Sequence, residues 1–125
     1  MMTTVISVAA GGAIGASLRY LVGIWVVRLL GHGFPLGVIT VNVLGSFLMG
    51  VFVVAAAHRG LTHMAPFVMT GVLGGFTTFS AFSLEAVTLF ERGQVGQAAL
   101  YVSLSVVASI GALLAGLAVA RGVFA

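Results

Sequence analysis

Four apolar runs, at about residues 4–27, 35–57, 65–90 and 97–120, follow one another with only short polar loops between them. A bilayer crossing takes roughly 20 apolar residues in a helix, so a chain of 125 residues holds four crossings and leaves no room for a soluble domain. Charged residues make up 6% of the chain, against about 25% in soluble domains. Lys, Asp and Cys are absent, and the acids are Glu85 and Glu91 alone. The expected fold is therefore an all-α membrane protein, one domain of four transmembrane helices in the lipid bilayer. Its five arginines are scattered and form no basic patch, which argues against nucleic acid as a partner. Four helices enclose little interior, so any pathway through them is expected to lie between subunits.

The first run has no basic residue ahead of it, and its apolar pattern resumes beyond Arg19, which favours a spanning helix over a signal peptide. Gly11, Gly15, Arg19 and Gly23 recur every four residues, a spacing at which small residues let helices approach closely in lipid. Arg19 on that stripe either faces protein or a wet vestibule, or snorkels to the interface. In the second run, Pro35 fits the first helical turn. Asn42 needs a partner at such depth, and Ser46 lies one turn away on a similar face. That amide either links helices or presents its NH₂ group to an anion. His58 and His63 read as solvated loop residues.

The third run carries Gly74-Gly75-Phe76-Thr77-Thr78-Phe79-Ser80-Ala81-Phe82 near its middle. Paired glycines followed by paired threonines predict that the helix breaks mid-membrane. Irregular backbone at that depth is tolerated where it is buried in protein or lines a wet cavity, and its free carbonyls can hold a cation. Phe79 and Phe82 share a face of the resumed helix, about 4.5 Å apart along the axis. Glu85, farther along, is either a vestibule group or the partner of an arginine. On the fourth run Tyr101, Ser105 and Ser109 form a polar stripe that ends at Leu113.

The chemistry available at mid-membrane is uncharged. No acidic group lies there to mark a cation path, and no Lys or Arg sits near the break. The donors are Asn42, Thr78, Ser80, Tyr101, Ser105 and Ser109, joined by ring edges that carry partial positive charge. Both phenyl rings can equally be plain packing. No base–nucleophile pair or metal-binding constellation can be assembled from three histidines and two glutamates, so an enzyme is not expected. Arginines on the two faces balance, with Arg59 and Arg121 opposing Arg28 and Arg92. A chain without bias can insert both ways, and two opposed copies would set their breaks against each other.

Three stretches, Gly11-Gly12-Ala13-Ile14-Gly15-Ala16-Ser17-Leu18-Arg19-Tyr20, Val41-Asn42-Val43-Leu44-Gly45-Ser46-Phe47 and the break sequence, resemble the Fluc (CrcB-type) fluoride channels. They fall in order on the first three runs, and the match covers essentially the whole chain. The resemblance implies an antiparallel, dual-topology homodimer with two pathways that export fluoride passively across a bacterial plasma (inner) membrane. It implies that Phe79 and Phe82 line the pathways, with Asn42 contributing a donor. It further implies that Gly74 and Thr77 offer backbone carbonyls to a structural sodium ion at the dimer centre. Tyr101, Ser105 and Ser109 match the family's polar track, whereas Leu113 stands where some members carry a further hydroxyl. The competing reading is a small multidrug-type proton-coupled exporter, but its carboxylate in the first helix is missing here.

Overall fold

The computed structural model describes residues 1–124, which are helical nearly throughout. Helices α1 (Met2–Leu30) and α2 (Leu36–Arg59) come first. A 3₁₀ turn (Thr62–Met64) leads into a π-helical segment (Pro66–Leu73) that passes into the short α3 (Gly74–Phe76). Beyond Thr77, Thr78 and Phe79 the chain resumes as α4 (Ser80–Glu91) and ends in α5 (Val95–Phe124). With Thr62–Glu91 counted as one interrupted helix, four segments are long and apolar enough to cross a bilayer. The chain is a multi-pass membrane protein. Gly60 and Gly93, at φ 67° and 81°, make the left-handed turns that end the second and third segments. Pro35 stands immediately before α2 rather than inside its first turn.

The interruption lies two residues later than the glycine pair suggests. Gly74 and Gly75 are α-helical; the backbone turns extended at Thr77, with φ −86° and ψ 163°. Gly75 serves packing instead, as does Gly71 before it, whereas Gly74 faces the open side. A Cβ at Gly75 would stand 2.8 Å from the Gly12 carbonyl oxygen, and one at Gly71 would stand 2.9 Å from the Gly11 Cα. Gly15 is pressed so closely on the Val72 carbonyl that no side chain fits there. Bare backbone on both partners gives the close approach that holds helices together in lipid, where apolar burial supplies little drive. The stripe on α1 opens before it ends, because a Cβ at Gly23 would meet nothing within 4 Å. The π-helical turn was not legible from residue pattern. It places Gly71 and Val72 against α1, and such turns are frequent at functional sites.

Helices α2 and α5 lie side by side and parallel. Phe34, just ahead of α2, meets Tyr101 edge-on at 5.6 Å between ring centroids. At mid-length Gly50 is pressed on the Leu113 carbonyl, and Gly116 in turn on that of Phe47. At the far end His58 stacks on Phe124 at 5.9 Å, with the Arg59 guanidinium 5.3 Å from the same ring. His58 thus belongs to the last turn of α2 rather than to a loop, and it stays solvent-exposed beside Phe124. The core is small: Ile39, Phe82, Leu89, Ala98 and Tyr101 form one buried cluster where α2, α4 and α5 meet.

Candidate functional site

The break is held open by Asn42. Its Oδ1 accepts the Thr78 N–H at 2.8 Å, and its Nδ2 donates to the Thr78 carbonyl at 3.0 Å. The partner of this amide is therefore a peptide group across the bundle, not Ser46. One side chain so replaces the hydrogen bonds that a continuous helix would have given residue 78. Thr78 then caps the next helix: its Oγ1 accepts the Ala81 N–H at 3.1 Å and lies 3.3 Å from the Ser80 hydroxyl.

These diversions decide which carbonyls are left over. In an unbroken helix the N–H of Thr78 would reach the Gly74 carbonyl, and that of Ala81 the Thr77 carbonyl. Both donors are spent elsewhere, so Gly74 and Thr77 each present a carbonyl with no helical donor. The intervening Gly75 carbonyl accepts instead from Arg19 Nε at 3.1 Å. Arg19 therefore faces protein, pinned to the helix end just before the break. A guanidinium thus does sit near the break, contrary to the expectation from the sequence, because the fold brings α1 against that helix end. Unpaired carbonyls at membrane depth carry a cost, and a hard cation is their natural partner.

A groove of about 540 Å³ runs beside the break. Asn42 and Ser46 form one wall, Phe79 and Phe82 another, and Ser105 and Ser109 a third. The two phenyl rings are 5.4 Å apart between centroids, and Phe82 lies at 5.4 Å from Tyr101. Phe82 is buried, but Phe79 is 77% exposed, on the open side of the groove. The Ser105 hydroxyl is buried without any hydrogen-bond partner. Such orphaned donors are rare in folded proteins and call for an explanation. By contrast, Thr40, Thr77, Ser83 and Thr88 all donate back to the carbonyl one turn earlier in their own helix.

A second, wider cleft of about 720 Å³ opens between α1, the start of α2, and α4. Arg19, Arg28, His32 and Arg92 line it, with Glu85 the acid among them. Glu85 is bound to no arginine; Tyr101 donates its O–H to Glu85 Oε2 at 2.9 Å. Tyr101 is fully buried, so its hydroxyl looks toward the cleft and its ring toward the groove. Thr78 lines both spaces and stands between them at the break. Among the described residues no cluster of His, Asp or Glu is arranged to hold a metal.

Of the residues singled out from the sequence, Asn42, Thr78, Phe79, Phe82, Ser105 and Ser109 converge on the groove. Arg19 and Glu85 stand in the cleft. Ser80 reaches the site through Thr78, and Tyr101 through Phe82 and Glu85. The unforeseen members are Phe34, which clamps Tyr101, and Ser46, which shares the groove wall. Ser46 was signalled by its four-residue spacing from Asn42.

Residues 6–117 match the family described as CrcB-like protein, Camphor Resistance (CrcB). The chain is 71% identical to the fluoride-specific ion channel FluC of a Ruegeria species over 124 residues, 98% of either chain. It is 70% identical to the protein of that name from Roseobacter denitrificans, covering 98% of this chain and 99% of that one. The Agrobacterium fabrum protein, likewise named, is 54% identical over 98% of this chain and all of its own length. With a full-length set of relatives at this identity and the family match across all four helices, the chain belongs to the CrcB-like family.

Proposed function

We propose that this protein is a fluoride-selective passive channel that exports fluoride across a bacterial plasma (inner) membrane. The observation that carries the proposal is the groove beside the break, lined by uncharged donors and ring edges and containing a buried, unpartnered Ser105 hydroxyl. Fluoride is small and strongly hydrated, so a path must replace its water with several donors, each weak enough to release it. Hydroxyl and amide donors from Asn42, Ser105 and Ser109 suit that task, with the edges of Phe79 and Phe82 supplying partial positive charge. A fixed cation in the groove would hold the anion too long. The arginine-rich cleft draws anions toward Thr78, and the start of α4 beside it favours negative charge. Relatives of high identity named for fluoride support the same ion.

The working unit in this reading is a homodimer of oppositely inserted copies, with two antiparallel pathways. The balanced arginines support it, as do the exposure of Phe79 and the open side of the groove, which a second copy would cover. The carbonyls of Gly74 and Thr77 fit a structural sodium ion at the dimer centre, because hard oxygen donors without helical partners are what such an ion takes. Bound there, it would contribute positive potential near the paths. The protein-coupled work remains with the side chains: Asn42 keeps the break open, Tyr101 steadies Phe82, and Thr78 stands between cleft and groove.

Purified protein in liposomes should release fluoride and retain chloride, measured with ion-selective electrodes. Phe82→Ile should cut fluoride release sharply without admitting chloride. Equal passage of the two anions by the wild type would refute the assignment. A proton-coupled exporter has nothing in its favour here, since α1 carries no carboxylate.

A further inference from the structure

The polar stripe on α5 stops one turn before the groove does. Tyr101, Ser105 and Ser109 are followed at the next four-residue step by Leu113, and Leu113 still lines the groove. Hydroxyls from α5 alone would leave that end without a donor. An anion leaving Ser109 would then face a bare apolar wall, with the desolvation cost that entails.

The parallel register of α2 and α5 shows what stands opposite. Phe34 meets Tyr101 at one end, Gly50 meets the turn from Leu113 to Leu117 in the middle, and His58 meets Phe124 at the other. Reading between these fixed points, Asn42 is level with Ser109, and Ser46 is level with Leu113. Ser46 lines the same groove as both. Its hydroxyl makes no back-bond to its own helix, unlike Thr40 on the same helix, which donates to the Leu36 carbonyl at 2.7 Å. It is therefore unspent at the depth where α5 has run out of hydroxyls. The neighbouring Gly45 is buried with the Thr77 side chain packed against it, and this brings the α2 wall up to the break.

We infer that Ser46 is a further anion-contacting residue of the pathway, and that the donor track crosses from α5 to α2 at the level of Leu113. This rests on the reading of the groove as a fluoride path and extends it by one site. Asn42 and Ser46 then form a two-donor stripe on α2, facing the Ser105–Ser109 stripe on α5 and offset toward the opposite end of the membrane. The anion would pass from one stripe to the other where they overlap, at Asn42 and Ser109.

The test is fluoride release from liposomes by Ser46→Ala, Leu113→Ser and the double variant, each beside wild type and with chloride as control. A hydrogen bond to a charged group is strong enough that Ser46→Ala should slow release at least about tenfold. The double variant, which returns a hydroxyl at the same depth from the facing helix, should recover most of the loss. A purely structural serine would not be rescued from the other wall. Ser46→Ala releasing fluoride at the wild-type rate would overturn the inference, as would a double variant no faster than Ser46→Ala. If Ser46→Ala is not recovered folded, Leu113→Ser alone decides: faster release supports the crossing track, and unchanged release opposes it. A wild type that passes no fluoride removes the groove reading and this inference together, whereas a wild type that conducts beside an equally active Ser46→Ala removes the inference alone.

Discussion

Removing the Asn42 amide should do more than lower affinity for an anion; it should mend the break. Asn42 makes two hydrogen bonds, of 2.8 and 3.0 Å, to the N–H and C=O of Thr78. In Asn42→Ala both groups lose their partner in a half-buried site. A net cost of about 1 kcal/mol for each bond puts the loss near 2 kcal/mol, a factor of roughly 30 in the folding equilibrium. The chain can recover part of this by letting the Thr78 N–H return to the Gly74 carbonyl one turn back. That closure would consume one of the two carbonyls offered to a cation and swing Phe79 out of register. The prediction is thus a joint loss: lower unfolding temperature in detergent, and fluoride release from liposomes reduced to background. Asn42→Asp separates the parts, because it keeps the acceptor for the Thr78 N–H but loses the donor and brings a negative charge to the groove. It should hold more stability than Asn42→Ala while conducting no better. Asn42→Ala with wild-type unfolding and wild-type release would refute the claim that this side chain maintains the break.

Three further expectations follow from particular contacts. Tyr101→Phe keeps the ring beside Phe82 but leaves Glu85 without its donor; fluoride release should slow while the stability loss stays near 1 kcal/mol, as read by liposome flux and thermal unfolding together. Gly15→Ala drives a methyl group into the Val72 carbonyl, overpacking that costs about 1–3 kcal/mol or more; the expected result is a severe loss of monodisperse protein on gel filtration, whereas Gly23→Ala should behave as wild type. The chain has no cysteine, so Gly33→Cys reports loop orientation directly. Insertion in both orientations predicts that an impermeant thiol reagent labels roughly half of it in intact cells, and complete or absent labelling would rule out mixed topology.

The number and nature of the helices were legible because each crossing must satisfy its own backbone in lipid, and that demand writes four long apolar runs into the chain. The groove residues were legible for a related reason. Asn42, Ser105 and Ser109 are polar groups on mostly apolar helices, the two serines one turn apart, and Phe79 and Phe82 are an aromatic pair at the start of the resumed segment. The exact seat of the break was not. Glycines look like the weak point from local propensity, but Gly74 and Gly75 stay helical, and the missing side chain of Gly75 is used to dock against α1. The backbone parts at Thr77 because Asn42, remote in sequence, captures the peptide groups of Thr78.

What the sequence determined by itself is the solvent this chain lives in, the count of its crossings and the uncharged donors of its groove, though not the Arg19 that reaches the break. These follow from composition and period, which need no knowledge of neighbours. Tertiary structure alone decided which donors and carbonyls are spent and which remain free. That question is settled by who stands opposite: Asn42 opposite Thr78, Arg19 opposite Gly75, and Ser46 level with Leu113 on a parallel helix. A hydrogen bond joins two partners in space, and the linear order of residues names only one of them at a time.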